Sequence, residues 1–355
     1  MSEKMKNILA LSIILQVITV KLLALAPEFI EKYYSNGIYP FISAGFRYAF
    51  GWVPFSVGDV FYTLAGIFVF RFLIRNTRCL FRRPWYFLRE ILIVLSFAYF
   101  SFHLFWGMNY YRPPLHQTLD IGSKYTTEEL LSFTEKLINR TNNIHQKLTD
   151  NDSVLVKLPY SRREIYDMSV LGYREISSEN PHFSYAPESI KSSLFSLPLT
   201  YMGYSGYLNP FTNEAQVNSL QLDYRYPLIS CHEEAHQIGF SAENEANFIG
   251  YLAATANKDP YFKFSGYAYM LRYCLNEVYR RDREAFARLK EQVHRGILKN
   301  YEEAAMFWSK YENPAEPVFK NTFNAYLKAN NQTDGIKTYS YVVALLVNYH
   351  KKYPF

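Results

Sequence analysis

With 355 residues, 49% of them hydrophobic and 18% aromatic, the chain can bury a large core, which excludes a disordered or low-complexity protein. A formal charge of +6 would suit a nucleic-acid binder, but much of it lies in one arginine-rich stretch between apolar segments, which a membrane explains better, and no nucleic-acid module is recognisable. Cys79, Cys231 and Cys274 form neither a C-x-x-C pair nor a disulfide framework, although a Cys231–Cys274 bridge stays open for a domain outside the cytoplasm.

Residues 8–27 are mostly apolar, interrupted by Gln16 and Lys21 and preceded by Lys4 and Lys6. They are long enough to span a bilayer. A cleaved signal peptide is the rival reading, because Ala24-Leu-Ala26 follows a basic start. Residues 55–74 and 91–108 complete three expected transmembrane helices. Arg71, Arg75, Arg78, Arg82, Arg83 and Arg89 crowd the second connection, so that loop is expected in the cytoplasm and everything after Trp106 outside it. Trp106, Tyr110 and Tyr111 suit an aromatic belt at the exit. The fall in apolar content near residue 110 separates a membrane domain, 1–110, from a second domain, 111–355.

The second domain reads as mainly helical. Thr126 or Thr127, followed by Glu128 and Glu129, starts an amphipathic helix. A second helix is expected over 162–176, and Pro187 is read as opening a short third. Residues 197–222, punctuated by Gly203, Gly206, Pro210 and Asn213, predict loops with one or two short strands, where an extended substrate could lie. Helices are expected near 261–279, 282–298, 301–311, 318–328 and 338–349.

The chemistry concentrates at 231–248. His232 and His236 stand four apart, so one helical turn of about 5.4 Å brings both imidazoles to one face, where they can hold one zinc ion. Glu233 then sits beside the metal, placed to take a proton from a bound water. Gly239 stops this helix, Ser241 or Ala242 opens the next, and Glu243 falls on its first turn. Glu243 is preferred over Glu245 as third ligand, because it shares a small-residue face with Ala246, Asn247, Gly250 and Ala253 that could pack against the first helix. Cys231, beside His232, points away from the histidine face and reads as a small buried residue.

These residues resemble a bacterial family, domain of unknown function 3810, whose members are regarded as membrane zinc peptidases. The likeness rests on the three apolar segments, Trp-Gly-Met-Asn-Tyr-Tyr-Arg-Pro-Pro ending at Pro114, the run Gly206 to Asn218, His232-Glu-Glu-Ala-His236, Glu243-Asn-Glu-Ala-Asn247, Asp334-Gly335 and Tyr339-Ser-Tyr341. Glu243-x-x-Ala-Asn247 is also similar to the Glu-x-x-Ala-Asp/Asn of gluzincins. That similarity implies Glu243 as zinc ligand and Asn247 as the residue that orients a metal-binding histidine. The family-like segment nominates Tyr339, with Tyr341 as alternative, to stabilise the oxyanion.

The expected whole is a mainly α protein, with transmembrane helices followed by a zincin-like α+β domain carrying a small β element. It is expected in a bacterial inner membrane with its catalytic domain on the periplasmic side, cutting peptide bonds of envelope or membrane-proximal substrates with Zn2+. Two rival functions stand beside it: a zinc hydrolase of a non-protein envelope amide, which would use the same residues, and a catalytically inactive membrane-bound interaction or sensing module. The bilayer and a protein or peptide substrate are the expected partners. Oligomeric state and physiological substrate are not legible.

Overall fold

Three helices long and apolar enough to cross a membrane occur in the first 105 residues: α1 (Glu3–Leu23), α3 (Val57–Arg75) and α4 (Pro84–Phe105). The computed structural model describes residues 1–335 and 341–355. The third span starts seven residues earlier than hydropathy places it, because Pro84 occupies its first turn, where a missing N–H costs nothing. α1 lies along α4, and the polar Gln16 that interrupts its apolar run donates to Ser96 Oγ at 2.8 Å. At the other end Lys6 pairs with Glu90 and Arg89 with Glu3.

The connection between the first two spans is itself helical. Pro27–Phe29, a wide-turned stretch Ile30–Ile38 and α2 (Tyr39–Phe50) run on into one another and pack onto the second half of the chain. Tyr39 is fully buried and donates to Gln237 O at 2.7 Å. Glu31 receives two hydrogen bonds from Arg112, at 2.7 and 2.8 Å. The division at residue 110 is thus a change of composition, across which buried contacts are continuous.

The chain then runs through α5 (Thr127–Thr149), α6 (Arg162–Glu179), β1 (Ile190–Ser192), α7 (Ser196–Met202), β2 (Gly206–Asn209), β3 (Glu214–Val217), α8 (Tyr226–Gln237) and α9 (Glu243–Ala256). It closes with α10 (Pro260–Arg281), α11 (Arg283–Glu291), α12 (Arg295–Ser309), α13 (Glu316–Ala329) and α14 (Val342–Lys352). The architecture is mainly helical with a small three-stranded sheet, as expected. Thr126 caps α5 reciprocally with Glu129.

Three local expectations need correction. Pro187 opens no helix; the nearest short helix is Pro181–Phe183, and Pro187 precedes the unexpected strand β1. The helix expected over 282–298 breaks after Glu291 and restarts at Arg295, because contacts from α5 and the loop after it tie down the new start. His294 N–H donates to Asn142 Oδ1 at 3.1 Å and Gly296 N–H to Asp152 O at 2.7 Å. Trp106, Tyr110 and Tyr111 are not a lipid-facing belt: all three are buried in a cluster with Tyr39 and Leu208.

β3 is the central strand, parallel to β1 and antiparallel to β2, with Gly206 opposite Val217 and Asn209 opposite Glu214. The sheet is joined to α3 by charge. Fully buried Glu214 accepts the first N–H groups of α3 from Val57 and Gly58, and pairs with Lys191 Nζ at 2.7 Å. Asp59 returns the contact by accepting from Ser193 and from the Tyr207 hydroxyl.

Candidate metal centre

α8 and α9 pack closely because the face between them is small. A Cβ on Gly250 would come within 2.9 Å of His232 N, and Ala246 and Ala253 are completely buried. Gly239, at φ +99°, turns the chain from α8 back into α9, a conformation that costs a glycine little. Glu243 therefore opens α9 directly beside the two histidines. Its Oε2 lies 3.3 Å from His232 Nε2 and 3.7 Å from His236 Nε2.

Two ligands bonded to tetrahedral zinc at about 2.0–2.2 Å are separated by roughly 3.3–3.6 Å, so the spacing of these atoms fits one ion between them. Ligand-capable atoms of His232, Glu233 and His236 also fall within 4.8 Å of one another. Glu243 Oε2 is the carboxylate oxygen that approaches both Nε2 atoms at near ligand–ligand distance, so the geometry could accommodate it as a third ligand. The histidine orientation supports this. Phe240 O lies 2.7 Å from His236 Nδ1 and can only accept, so Nδ1 carries a proton and, in the neutral ring, Nε2 would offer its lone pair to a metal.

Burial disfavours the ionised Glu243, but its hydrogen bonds to His232 and His236 outweigh that and hold its carboxyl well below the usual range. Burial alone would lower His236 too, yet the Glu243 carboxylate pushes it up to about 9, while desolvation keeps His232 below its ordinary value. Ligation needs neutral imidazoles, so a bound cation would displace the proton that the Glu243 carboxylate favours on His236.

Burial raises Glu233 to about 8, and its Oε2 is enclosed with no hydrogen-bond partner. It faces β2, where a Cβ on Gly206 would lie 2.5 Å from Glu233 Oε1. Glu234 is on the other side of the helix: it is fully buried, its carboxyl is pushed well up by desolvation, and it accepts a hydrogen bond from Ser169 Oγ at 2.5 Å. Glu245 turns away to accept the Leu115 N–H at 2.6 Å and so is no ligand. Asn247 lies beside His232 and favours its charged form, although His232 Nδ1 and Asn247 Nδ2 are both buried and unpartnered as placed. Cys231 and Cys274 are buried free thiols, so the open disulfide does not form.

Tyr339 lies outside the described residues. Tyr341 is exposed and donates to Asp334 at 2.8 Å, and it is not among the cleft-lining residues.

A cleft of about 690 Å³ opens over the centre, walled by β2, by Tyr204, Phe323 and Tyr326, and by Tyr62, Phe102 and Trp106 from the two later apolar helices and their exit. Trp106 Nε1–H donates to His236 O at 3.0 Å, so the end of α4 holds the metal helix in place. Tyr326 is pushed up to about 12, first by burial, and accepts a hydrogen bond from Tyr110 at 3.2 Å.

The model of the family described as "Protein of unknown function (DUF3810)" matches residues 34–347. The chain belongs to this family. No match was found among curated proteins or among solved structures. The matched DUF3810 span includes every cleft residue and begins within the helical connection that carries Tyr39. Sequence reasoning also passed over Gly206 as a clearance residue, Trp106 as a support of α8, Tyr326, and Arg225. The Trp-Gly-Met-Asn motif was the available signal for Trp106. No local pattern marks Tyr326, which reaches the site only through the fold.

Proposed function

We propose that the protein is a membrane-anchored zinc peptidase acting on envelope or membrane-proximal polypeptides. The observation that carries the reading is the convergence of His232 Nε2, His236 Nε2 and Glu243 Oε2 beside an unpartnered Glu233 oxygen, at the floor of an open cleft. His232, His236 and Glu243 would hold the ion, which when bound supplies a Lewis acid that acidifies water and polarises a carbonyl. Glu233 takes the proton of the attacking water on its carboxylate and returns it to the leaving amine nitrogen. Among the described residues Tyr326 suits an oxyanion donor: Tyr110 donates to its oxygen, which leaves its own hydroxyl hydrogen free to bond the developing oxyanion.

β2 supports an extended substrate, since it pairs with β3 on one edge only while Gly206, Tyr207 and Leu208 line the cleft. The zincin-like likeness rests on this pairing of an edge strand with the metal helix. Packing and charge support the expected sidedness: the connection holding Tyr39 packs on the domain after Trp106, and the arginine-rich turn between α3 and α4 lies at the far ends of those helices, where a cytoplasmic location would suit its charge.

The test is zinc analysis and peptide-library cleavage by the full chain in detergent. Wild-type protein should bind one zinc and cut, and Glu233→Gln should bind zinc and not cut. Full activity in Glu233→Gln would remove the base assignment.

A further inference from the structure

Arg225 stands where the chain enters α8, and 8% of its surface is exposed. It lines the metal cleft together with His232, and also a side cavity of about 200 Å³ shared with Tyr224, Tyr269, Tyr273 and Arg272. Its Nη2–H donates to Tyr269 OH at 3.2 Å, and its guanidinium carbon sits 5.0 Å from the Tyr269 ring centroid. No carboxylate lies within ion-pair distance of it among the described residues. A guanidinium cannot shed its proton to relieve burial, so an enclosed arginine with only a phenol and ring faces around it is a costly arrangement that an incoming anion would stabilise. The chemistry at Glu233 has no use for this charge.

Arg225 precedes His232 by seven residues, two helical turns, so the two side chains share a face roughly 10 Å apart along the axis. An extended peptide advances about 3.3–3.6 Å per residue, which puts the guanidinium two to three residues from the reacting carbonyl. The cleft offers one buried cation here, and Lys320, also lining it, is already paired with Glu316. Arg272, which shares the side cavity, is exposed and does not line the metal cleft, so the enclosed charge facing the cleft is that of Arg225, whose planar fork of donors matches a carboxylate, one charge against one.

We propose that Arg225 recognises a carboxylate of the peptide substrate, either the free C-terminus or an Asp or Glu side chain, two to three residues from the scissile bond. This rests on the peptidase reading and adds a substrate class to it: acidic or C-terminal segments.

The probes are three fluorescent apolar hexapeptides: one with a free C-terminal carboxylate, its C-terminal amide, and the amide carrying one internal glutamate. Binding to zinc-loaded, full-length Glu233→Gln protein in detergent is read by fluorescence anisotropy, with no turnover needed. At least one acidic probe should bind about ten-fold or more tighter than the neutral amide, and which one does so names the source of the carboxylate. Adding Arg225→Gln should erase the preference, and Arg225→Lys should keep part of it. Equal binding of all three probes overturns the proposal without any Arg225 variant, as does a preference that survives Arg225→Gln in protein that keeps its zinc. If no probe binds, the Arg225 proposal is overturned, while the peptidase reading stands or falls separately on zinc content and library cleavage.

Discussion

Gly206→Ala tests whether Glu233 works from the position in which β2 leaves it. The new Cβ would stand 2.5 Å from Glu233 Oε1 and 2.6 Å from Gln216 O, against the 3.4 Å at which ordinary contact begins. The carboxylate must therefore recede by about 0.9 Å, or the strand must move. A misplacement of about 1 Å in a catalytic group costs on the order of 100-fold in rate, near 2.7 kcal/mol of barrier. The zinc ligands are untouched, so zinc per chain should stay at the wild-type value. The close approach to the Gln216 backbone adds overpacking worth about 1–3 kcal/mol of stability, visible as a lower melting temperature. The assay is kcat/KM on the best library peptide beside zinc content and thermal melting in the same detergent. Wild-type kcat/KM in a zinc-loaded, folded Gly206→Ala protein would refute the reasoning, because it would mean that Glu233 does not act from beside β2.

Further outcomes separate the remaining roles. Tyr326→Phe should lower kcat by about 100- to 1000-fold with KM and zinc content nearly unchanged, and an unchanged kcat would remove its oxyanion role. Glu214→Gln should lower stability by about 3–5 kcal/mol, because it leaves Lys191 buried without its counter-ion and weakens the cap on α3; an unshifted melting temperature would contradict that. His350, lowered to about 4 by burial, is neutral in the fold, so the unfolded chain binds more protons between about pH 4 and 6.5. Stability should therefore fall as pH drops through that window, by at most about 3 kcal/mol, and His350→Gln should flatten the dependence. Identical pH slopes in the two proteins would exclude the assignment.

The clustering of His232, Glu233 and His236 was legible because a helix turns four residues into one face. His232, Glu233 and His236 need only that periodicity, and Gly239 with Glu243 needs only a helix stop followed by a helix start. The choice of Glu243 over Glu245 came from the small face of α9, and the packing at Gly250 shows that face at work. What escaped depends on contacts distant in sequence. Trp106 read as a membrane anchor because amphipathic aromatics at a span end look alike whether they face headgroups or a carbonyl such as His236 O. Strand β1, three residues long, carries no periodicity to detect and exists because β3 pairs with it. The helical connection around Tyr39 was hidden by its mixed composition, since its buried side chains answer α8 and Asn213 rather than a pattern of their own.

The central claim is that Glu243 completes the metal site while Glu233 stays free to act as a base. Zinc per chain, measured side by side in Glu243→Gln and Glu233→Gln, tests it most directly. The account predicts loss of zinc in Glu243→Gln and one zinc retained in Glu233→Gln. Full zinc occupancy in Glu243→Gln, or its loss in Glu233→Gln, would contradict it.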